Sequence, residues 1–203
     1  SCNLSEILVM LLAALVGLPL PLLPVQILWI NLVTDGLPAL ALAVEPKDPT
    51  LMRRPPRPPD ARFLDRDRIF LMFGQGVFMA LITILAFVYC LYSMDRDLER
   101  ARSVTFTILV VVQLAHAFNC RSDRRSLAAI GIRTNPQLLW AVGLSAGLQV
   151  LILLVPSLRT LFDVAPFDVE HWLLVLGIGV LPLAGMELWK RVAARETDGS
   201  YGA

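Results

Sequence analysis

Residues 7–34 read ILVMLLAALVGLPLPLLPVQILWINLVT, a stretch of 28 residues without a charged side chain. A membrane-spanning helix needs about 20 mostly apolar residues. Pro19, Pro21 and Pro24 interrupt the stretch, and proline breaks a helix interior because it lacks a backbone N–H and clashes with the preceding turn. The stretch therefore predicts a hairpin of two membrane helices, over residues 4–18 and 24–44.

Four more stretches with almost no charge follow, and they predict helices over residues 69–94, 103–120, 138–155 and 171–189. The composition of the 203-residue chain agrees, since 56% of its residues are hydrophobic, 17% are charged and the mean hydropathy is +0.65. A soluble domain carries about 25% charged residues. We therefore expect an all-α membrane protein, a bundle of six transmembrane helices in the lipid bilayer. The net charge of +1 gives no indication of a nucleic-acid partner.

Basic residues are distributed unevenly among the predicted connections. Seven lie in residues 45–68, four in residues 121–133 and three in the C-terminal tail, against four on the other side. Because Lys and Arg are enriched in cytoplasmic loops, we expect a multi-pass protein of the cell membrane with loop 45–68 and the tail in the cytoplasm. Within that loop, residues 53–59 read RRPPRPP, which indicates either a stiff solvated segment or a docking surface for another domain.

Two carboxylates, Glu6 and Asp35, lie deep in the predicted spans. An ionised side chain at the centre of a bilayer costs roughly 2.5–3.5 kcal/mol even on a lenient scale. The spans contain no Lys or Arg that could pair with either carboxylate. We therefore expect a bound cation or a proton to neutralise them.

Uncharged oxygen donors share helix faces with these carboxylates. Asn3 and Glu6 are spaced i, i+3, and Asn31, Thr34 and Asp35 are spaced i, i+3, i+4, while Gln113 lies in mid-span in the fourth helix. The candidate ligands are Asn3, Glu6, Asn31, Thr34, Asp35 and Gln113. Together they offer up to eight hard oxygens, which suit Ca²⁺, Mg²⁺ or Mn²⁺ better than a soft metal. The alternative for the uncharged members is hydrogen bonding between helices.

Two further features concern the backbone and a neighbouring side chain. Pro38 cannot bond the carbonyl of Thr34, so the second helix is predicted to be unwound near Asp35-Gly36-Leu37-Pro38. His116 follows Gln113 by three residues and precedes Cys120 by four, a spacing that a softer-metal site would need. Because no second His or Cys lies deep in a span nearby, we expect His116 to make an interhelical hydrogen bond instead.

Several motifs resemble one family. Asn3-x-x-Glu6 and residues 24–39, PVQILWINLVTDGLPA, resemble the fifth and sixth membrane helices of P-type calcium-transporting ATPases. Arg54-Pro55-Pro56-Arg57 resembles the loop that follows, and residues 113–122, QLAHAFNCRS, resemble the end of the eighth helix in bacterial members. The resemblance implies that residues 1–203 are a C-terminal transmembrane domain of such a pump.

The resemblance also implies a mechanism and a ligand set. ATP would phosphorylate a cytoplasmic Asp of the same polypeptide, with ATP and Mg²⁺ bound by parts that this sequence lacks, so the chain alone would not hydrolyse ATP. One cation would be ligated by Asn3, Glu6, Thr34, Asp35 and Gln113. Asn31 and Asp35 would contribute to a second site, completed by backbone and by a Glu on a further helix. The implied partners are the remaining membrane helices and the cytoplasmic phosphorylation domain.

One position departs from the family pattern. The calcium pumps of muscle reticulum have Glu where this sequence has Gln113, so fewer negative charges are available, and we expect one Ca²⁺ per cycle. A pump for Mn²⁺ or another cation would use the same oxygens, and a free-standing six-helix scaffold or channel is the alternative from another class.

Overall fold

The computed structural model describes residues 1–46, 66–94, 96–122 and 126–199, with side chains throughout except at residues 67 and 191–199. Within these ranges the chain is all helical and has no β-strand, which confirms the predicted fold class. Most of loop 45–68, including the RRPPRPP stretch, lies outside the described residues. The predicted role and orientation of that loop therefore stay predictions.

In the part of the chain that the structure describes, the helices follow one another with two π-helical segments and one 3₁₀ turn among them. They are α1 (Cys2–Val16), α2 (Pro24–Trp29), the first π segment (Ile30–Asp35), α3 (Gly36–Ala43), α4 (Arg66–Tyr89), the second π segment (Cys90–Met94), α5 (Leu98–Asn119), α6 (Leu127–Ile130), the 3₁₀ turn (Ile132–Thr134), α7 (Pro136–Leu154), α8 (Pro156–Phe162), α9 (Val169–Gly179) and α10 (Leu181–Gly199).

Within the described ranges, five helical stretches are long and apolar enough to cross a bilayer. They are Pro24–Ala43, Arg68–Met94, Leu98–Asn119, Pro136–Leu154 and Val169–Lys190. The multi-pass membrane architecture follows from these five. The helix predicted over residues 4–18 is present as α1, but it has 15 residues and is too short to count among them. The predicted total of six spans is therefore not established by helix length.

The turn between the first two helices lies over residues 17–23. Gly17 ends α1 in the left-handed conformation, with φ +74° and ψ +23°, which glycine adopts without steric cost. The Leu18 N–H then bonds the Ala13 carbonyl at 2.9 Å. Pro24 opens α2 at its first position, where a missing N–H costs nothing. The prolines of the opening stretch thus mark the turn.

The predicted unwinding near Asp35-Gly36-Leu37-Pro38 is replaced by a π-helical segment one turn earlier. Residues 24–43 are helical throughout, and Gly36 has the ordinary right-handed φ of −62° and ψ of −49°. Pro38 is the third residue of α3 and comes directly after the π segment, so its missing N–H falls where the regular i→i−4 pattern is already interrupted. The i→i+5 geometry of a π-helix adds one residue per turn, so the irregularity lies before the proline and the chain stays helical.

Helix α5 is the central helix of the bundle and the most buried of the five candidate spans. It packs against α4, α7, α9 and α10 and against both π segments, and its apolar side chains take part in two clusters of buried residues. Its contact residues are mostly β-branched or aromatic: Val104, Phe106, Ile108, Val110 and Val112 are all buried. A polar side chain in the middle of α5 is therefore held away from lipid.

Gly179 allows α9 to approach α5 closely. A Cβ added at Gly179 would overlap Cγ1 of Val111, a β-branched side chain with little rotamer freedom. Gly179→Ala is therefore expected to destabilise the protein by about 1–3 kcal/mol through overpacking, seen as a lower thermal midpoint in detergent. Gly177→Ala in the same helix is the control, because a Cβ there meets nothing within 4 Å. Equal midpoints for the two variants would contradict this packing.

Candidate cation site

The Glu6 carboxylate is buried where three helical segments meet. It is only 5% exposed, and each of its oxygens accepts one amide N–H from another helix. Gln113 Nε2 of α5 donates to Oε1 at 2.9 Å, and Asn31 Nδ2 of the first π segment donates to Oε2 at 2.7 Å. Hydrogen bonds to an ionised acceptor are roughly twice as strong as neutral ones, so Glu6 joins α1, α5 and the π segment.

Gln113 presents a second polar atom at the same place. Its side chain is 2% exposed, and its Oε1 has no hydrogen-bond partner among the described residues. Leaving a buried acceptor without a partner costs about 1–3 kcal/mol. An amide oxygen is a ligand that Ca²⁺ and other hard cations accept. The Gln113 oxygen therefore fits a cation ligand beside Glu6.

Asp35 supplies the second carboxylate at the end of the first π segment. Its side chain is partly buried, and it is near enough to the Glu6 carboxylate for the two groups to repel each other electrostatically. Neither carboxylate forms an ion pair with a Lys or Arg of the described residues. Two like charges held near one another in an apolar surrounding favour a shared cation or proton.

The first π segment carries two further predicted ligands, Thr34 and Asn31. Thr34 is buried, and its hydroxyl donates to the Ile30 carbonyl at 2.8 Å. Asn31 also donates to the Ile27 carbonyl at 3.0 Å. These bonds satisfy one carbonyl of α2 and one of the π segment, next to the point where the regular α-helical pattern is interrupted. Single π turns inside α-helices are frequent at functional sites.

Not every predicted ligand is buried beside the Glu6 carboxylate. Asn3 lies on the exposed side of α1, although it is three residues from Glu6. Asn31 is also exposed apart from its contact with Glu6. In the described ranges no three His, Cys, Asp or Glu side chains come together as a metal cluster. The arrangement is thus two carboxylates with amide and hydroxyl oxygens, and the six-residue ligand set stays a prediction.

His116 lies one helical turn after Gln113 and is buried. Its Nε2 is 3.0 Å from Ser1 Oγ and 3.4 Å from Cys120 Sγ. The contact with Ser1 joins α5 to the start of α1, so the expected interhelical hydrogen bond is confirmed.

A second layer on α7 supports the first π segment and was not predicted from the sequence. Ser145 Oγ donates to the Val33 carbonyl at 3.1 Å. Gln149 Oε1 accepts the Trp29 indole N–H at 3.0 Å, and its Nε2 lies 3.4 Å from Thr107 Oγ1 of α5. Ser145 and Gln149 are polar residues in an otherwise apolar stretch of sequence, and the structure buries both. Their polarity within that stretch is the sequence signal by which they could have been identified.

The sequence is similar to proteins with known names. A family model described as "Cation transporting ATPase, C-terminus" matches residues 19–192. The calcium-transporting ATPase of Bacillus subtilis is 38% identical over 192 residues, which cover 93% of this chain and 22% of that protein. Calcium-transporting ATPase 1 of Bacillus cereus is 37% identical, covering 94% and 23%. A probable cation-transporting ATPase F of Mycobacterium tuberculosis is 34% identical, covering 87% and 19%. The chain thus spans about a fifth of the length of these relatives.

Replacing Gln149 tests whether its hydrogen bond from α7 to Trp29 stabilises the protein. Gln149→Leu would leave the Trp29 indole N–H without its acceptor, and we expect a loss of about 1–3 kcal/mol in stability. The measurement is the thermal midpoint of the detergent-solubilised protein. Gln137→Leu in the same helix is the matched control, because Gln137 is exposed. A midpoint for Gln149→Leu as high as that of the control would show that the bond to Trp29 is dispensable.

Proposed function

We propose, because the chain belongs to the family of C-terminal regions of cation-transporting ATPases, that it is the ion-binding and transport portion of an ATP-driven P-type pump. The relatives named as calcium-transporting ATPases support Ca²⁺ as the transported ion. The parent protein would export Ca²⁺ from the cytoplasm. The remaining membrane helices and the phosphorylation domain would belong to the same polypeptide and would bind ATP and Mg²⁺.

The observation that carries this proposal is the buried Glu6 carboxylate with amides from two other helices on its two oxygens. Amide N–H groups supply partial positive charge when no cation is bound, and each amide also has an oxygen that can ligate one. Rotation of the Asn31 and Gln113 amides would therefore exchange a hydrogen-bonded carboxylate for a cation-bound one. In this proposal Asn3, Thr34 and Asp35 complete the ligand set, Thr34 from its buried position and Asn3 from the exposed side of α1.

The proposal also includes a sixth membrane span and the sides of the membrane on which the loop and the tail lie. Helix α1 packs against α4 and α5 through Val9 and Ala13, which are fully buried, and it carries Glu6 into the bundle. We place it in a sixth span on that ground. Loop 45–68 and the C-terminal tail would face the cytoplasm, where their excess of Lys and Arg is favourable. The Pro/Arg stretch would dock the phosphorylation domain, and the π segment would be the place where the second span unwinds during transport.

The test is ATP-dependent ⁴⁵Ca²⁺ uptake into vesicles by the full-length parent, with Mn²⁺ as competitor. Asp35→Asn is expected to abolish uptake, because it removes one of the two carboxylates that would hold the ion. Asp163→Asn is the matched control, since Asp163 is exposed and has a positive φ of 52°, which Asn also tolerates. Uptake that survives Asp35→Asn would contradict the site. ATP turnover that responds to Mn²⁺ and not Ca²⁺ would change the ion and keep the architecture.

The charge of the site predicts its stoichiometry. Glu6 and Asp35 supply two negative charges, the Glu expected on a further helix would supply a third, and Gln113 supplies none. Two Ca²⁺ ions would bring four positive charges into a low-dielectric site, which is costly without equal compensation. We therefore expect one Ca²⁺ bound per phosphorylatable parent molecule, measured by an equilibrium binding isotherm against the phosphoenzyme level. Two ions per phosphoenzyme would contradict this expectation.

A further inference from the structure

Arg121 is a buried cation outside the candidate cation site. It follows the end of α5, and its side chain is 0% exposed. Nε and Nη2 both donate to Glu45 Oε1, at 2.9 and 2.7 Å. Nη1 donates to the Gly131 carbonyl at 2.8 Å, and Nη2 also bonds the Thr134 hydroxyl. The planar guanidinium therefore joins the end of α5 to the chain after α3 and to the connection before α7.

Asn135 completes the same cluster from the start of α7. Its side chain is 0% exposed. Nδ2 donates to Glu45 Oε2 at 2.6 Å and to the Ala41 carbonyl at 3.2 Å, while Oδ1 caps α7 by accepting the Leu138 N–H at 2.9 Å. The Ala41 carbonyl is in the last turn of α3, where carbonyls lack partners within the helix. Both Glu45 oxygens are thus bonded by side chains of other elements.

The position of this cluster relates it to the candidate cation site. Glu45 is ten residues after Asp35, and Arg121 is eight residues after Gln113. At 1.5 Å per residue the cluster lies roughly 12–15 Å along the helices from those side chains. The helix that carries Asp35 and the helix that carries Gln113 are therefore joined at one end by a charged contact with fixed geometry. Sliding one helix along the other would require breaking this contact.

We infer that Arg121 and Glu45 hold these two helices in register, and that both are positioning residues for the ion site. This inference rests on the proposed function. Two N–H groups of the Arg121 guanidinium hold Glu45 Oε1 while a third bonds the Gly131 carbonyl. This geometry depends on the planar fork of arginine, so Arg121→Lys would keep the charge and lose the register. The pair would set the affinity of the site for the ion without touching the ion.

The experiment uses the full-length parent in native membranes. Arg121→Lys and Glu45→Gln are compared with Arg100→Lys and Glu99→Gln, which change the same residue types at the opposite end of α5. Arg100 pairs there with Asp168 in an exposed ion pair at 3.2 Å, and Glu99 is exposed. The first readout is the Ca²⁺ concentration for half-maximal phosphorylation by ATP. The second is phosphorylation by inorganic phosphate without Ca²⁺, which does not depend on an occupied ion site.

We expect Arg121→Lys and Glu45→Gln each to raise the half-maximal Ca²⁺ concentration roughly tenfold, with phosphorylation by inorganic phosphate retained. The double variant should have a half-maximal Ca²⁺ concentration no higher than that of the more affected single variant, because both changes break the same contact. The controls should leave both readouts unchanged.

Three results would overturn the inference. The first is a half-maximal Ca²⁺ concentration that changes by less than about twofold. The second is an equal loss in both readouts, which would assign the pair to general stability. The third is failure of both variants to reach the membrane, which would assign it to folding. Asp35→Asn is measured alongside, since Ca²⁺-dependent phosphorylation that survives Asp35→Asn would refute the proposed function and not the positioning role of Arg121 and Glu45.

Discussion

A carboxylate buried in an apolar bundle needs a partner, and the structure is arranged around this requirement at Glu6. The cost of an uncompensated charge at that depth exceeds what a single hydrogen bond returns. Amides from α5 and from the first π segment both point at Glu6. The contact fixes how α1, α5 and the π segment meet, so a group suited to binding an ion also determines the packing of the helices.

The central place of α5 follows from the same requirement. Gln113 can bond Glu6 only if its helix runs through the middle of the bundle, and apolar residues on several faces of α5 provide that position. Helix α7 then supports the π segment through Ser145 and Gln149. The Arg121 cluster joins α3, α5 and α7 beyond the apolar region. The helices that carry the site are thus fixed at two levels along their length.

Local features of the sequence predicted much of this arrangement. Uncharged stretches indicate spans because the bilayer excludes charge, and the prolines of residues 19–24 mark a turn because proline cannot continue a helix. Glu6 and Asp35 stand out for the same electrostatic reason. The π segment was not predictable in this way. Proline indicates that a hydrogen bond is lost but not whether the backbone unwinds or widens by one residue to absorb the loss.

Features that depend on contacts distant in sequence were also missed. Arg121 and Glu45 are separated by 76 residues, and each alone resembles an ordinary interfacial charge. Asn3 has helical spacing to Glu6, yet a difference of three residues rotates it far enough to lie on the exposed side of α1. Spacing fixes direction around one helix, whereas the packing of its neighbours decides which directions are buried.

The central claim is that a cation binds at the Glu6 carboxylate. A structure of the full-length parent in saturating Ca²⁺, with the ion located by its anomalous scattering, tests it most directly. We expect an ion 2.3–2.6 Å from a Glu6 oxygen and from the Gln113 amide oxygen, with the Gln113 N–H turned away from Glu6. An ion bound elsewhere, with both amides still donating to Glu6, would contradict it.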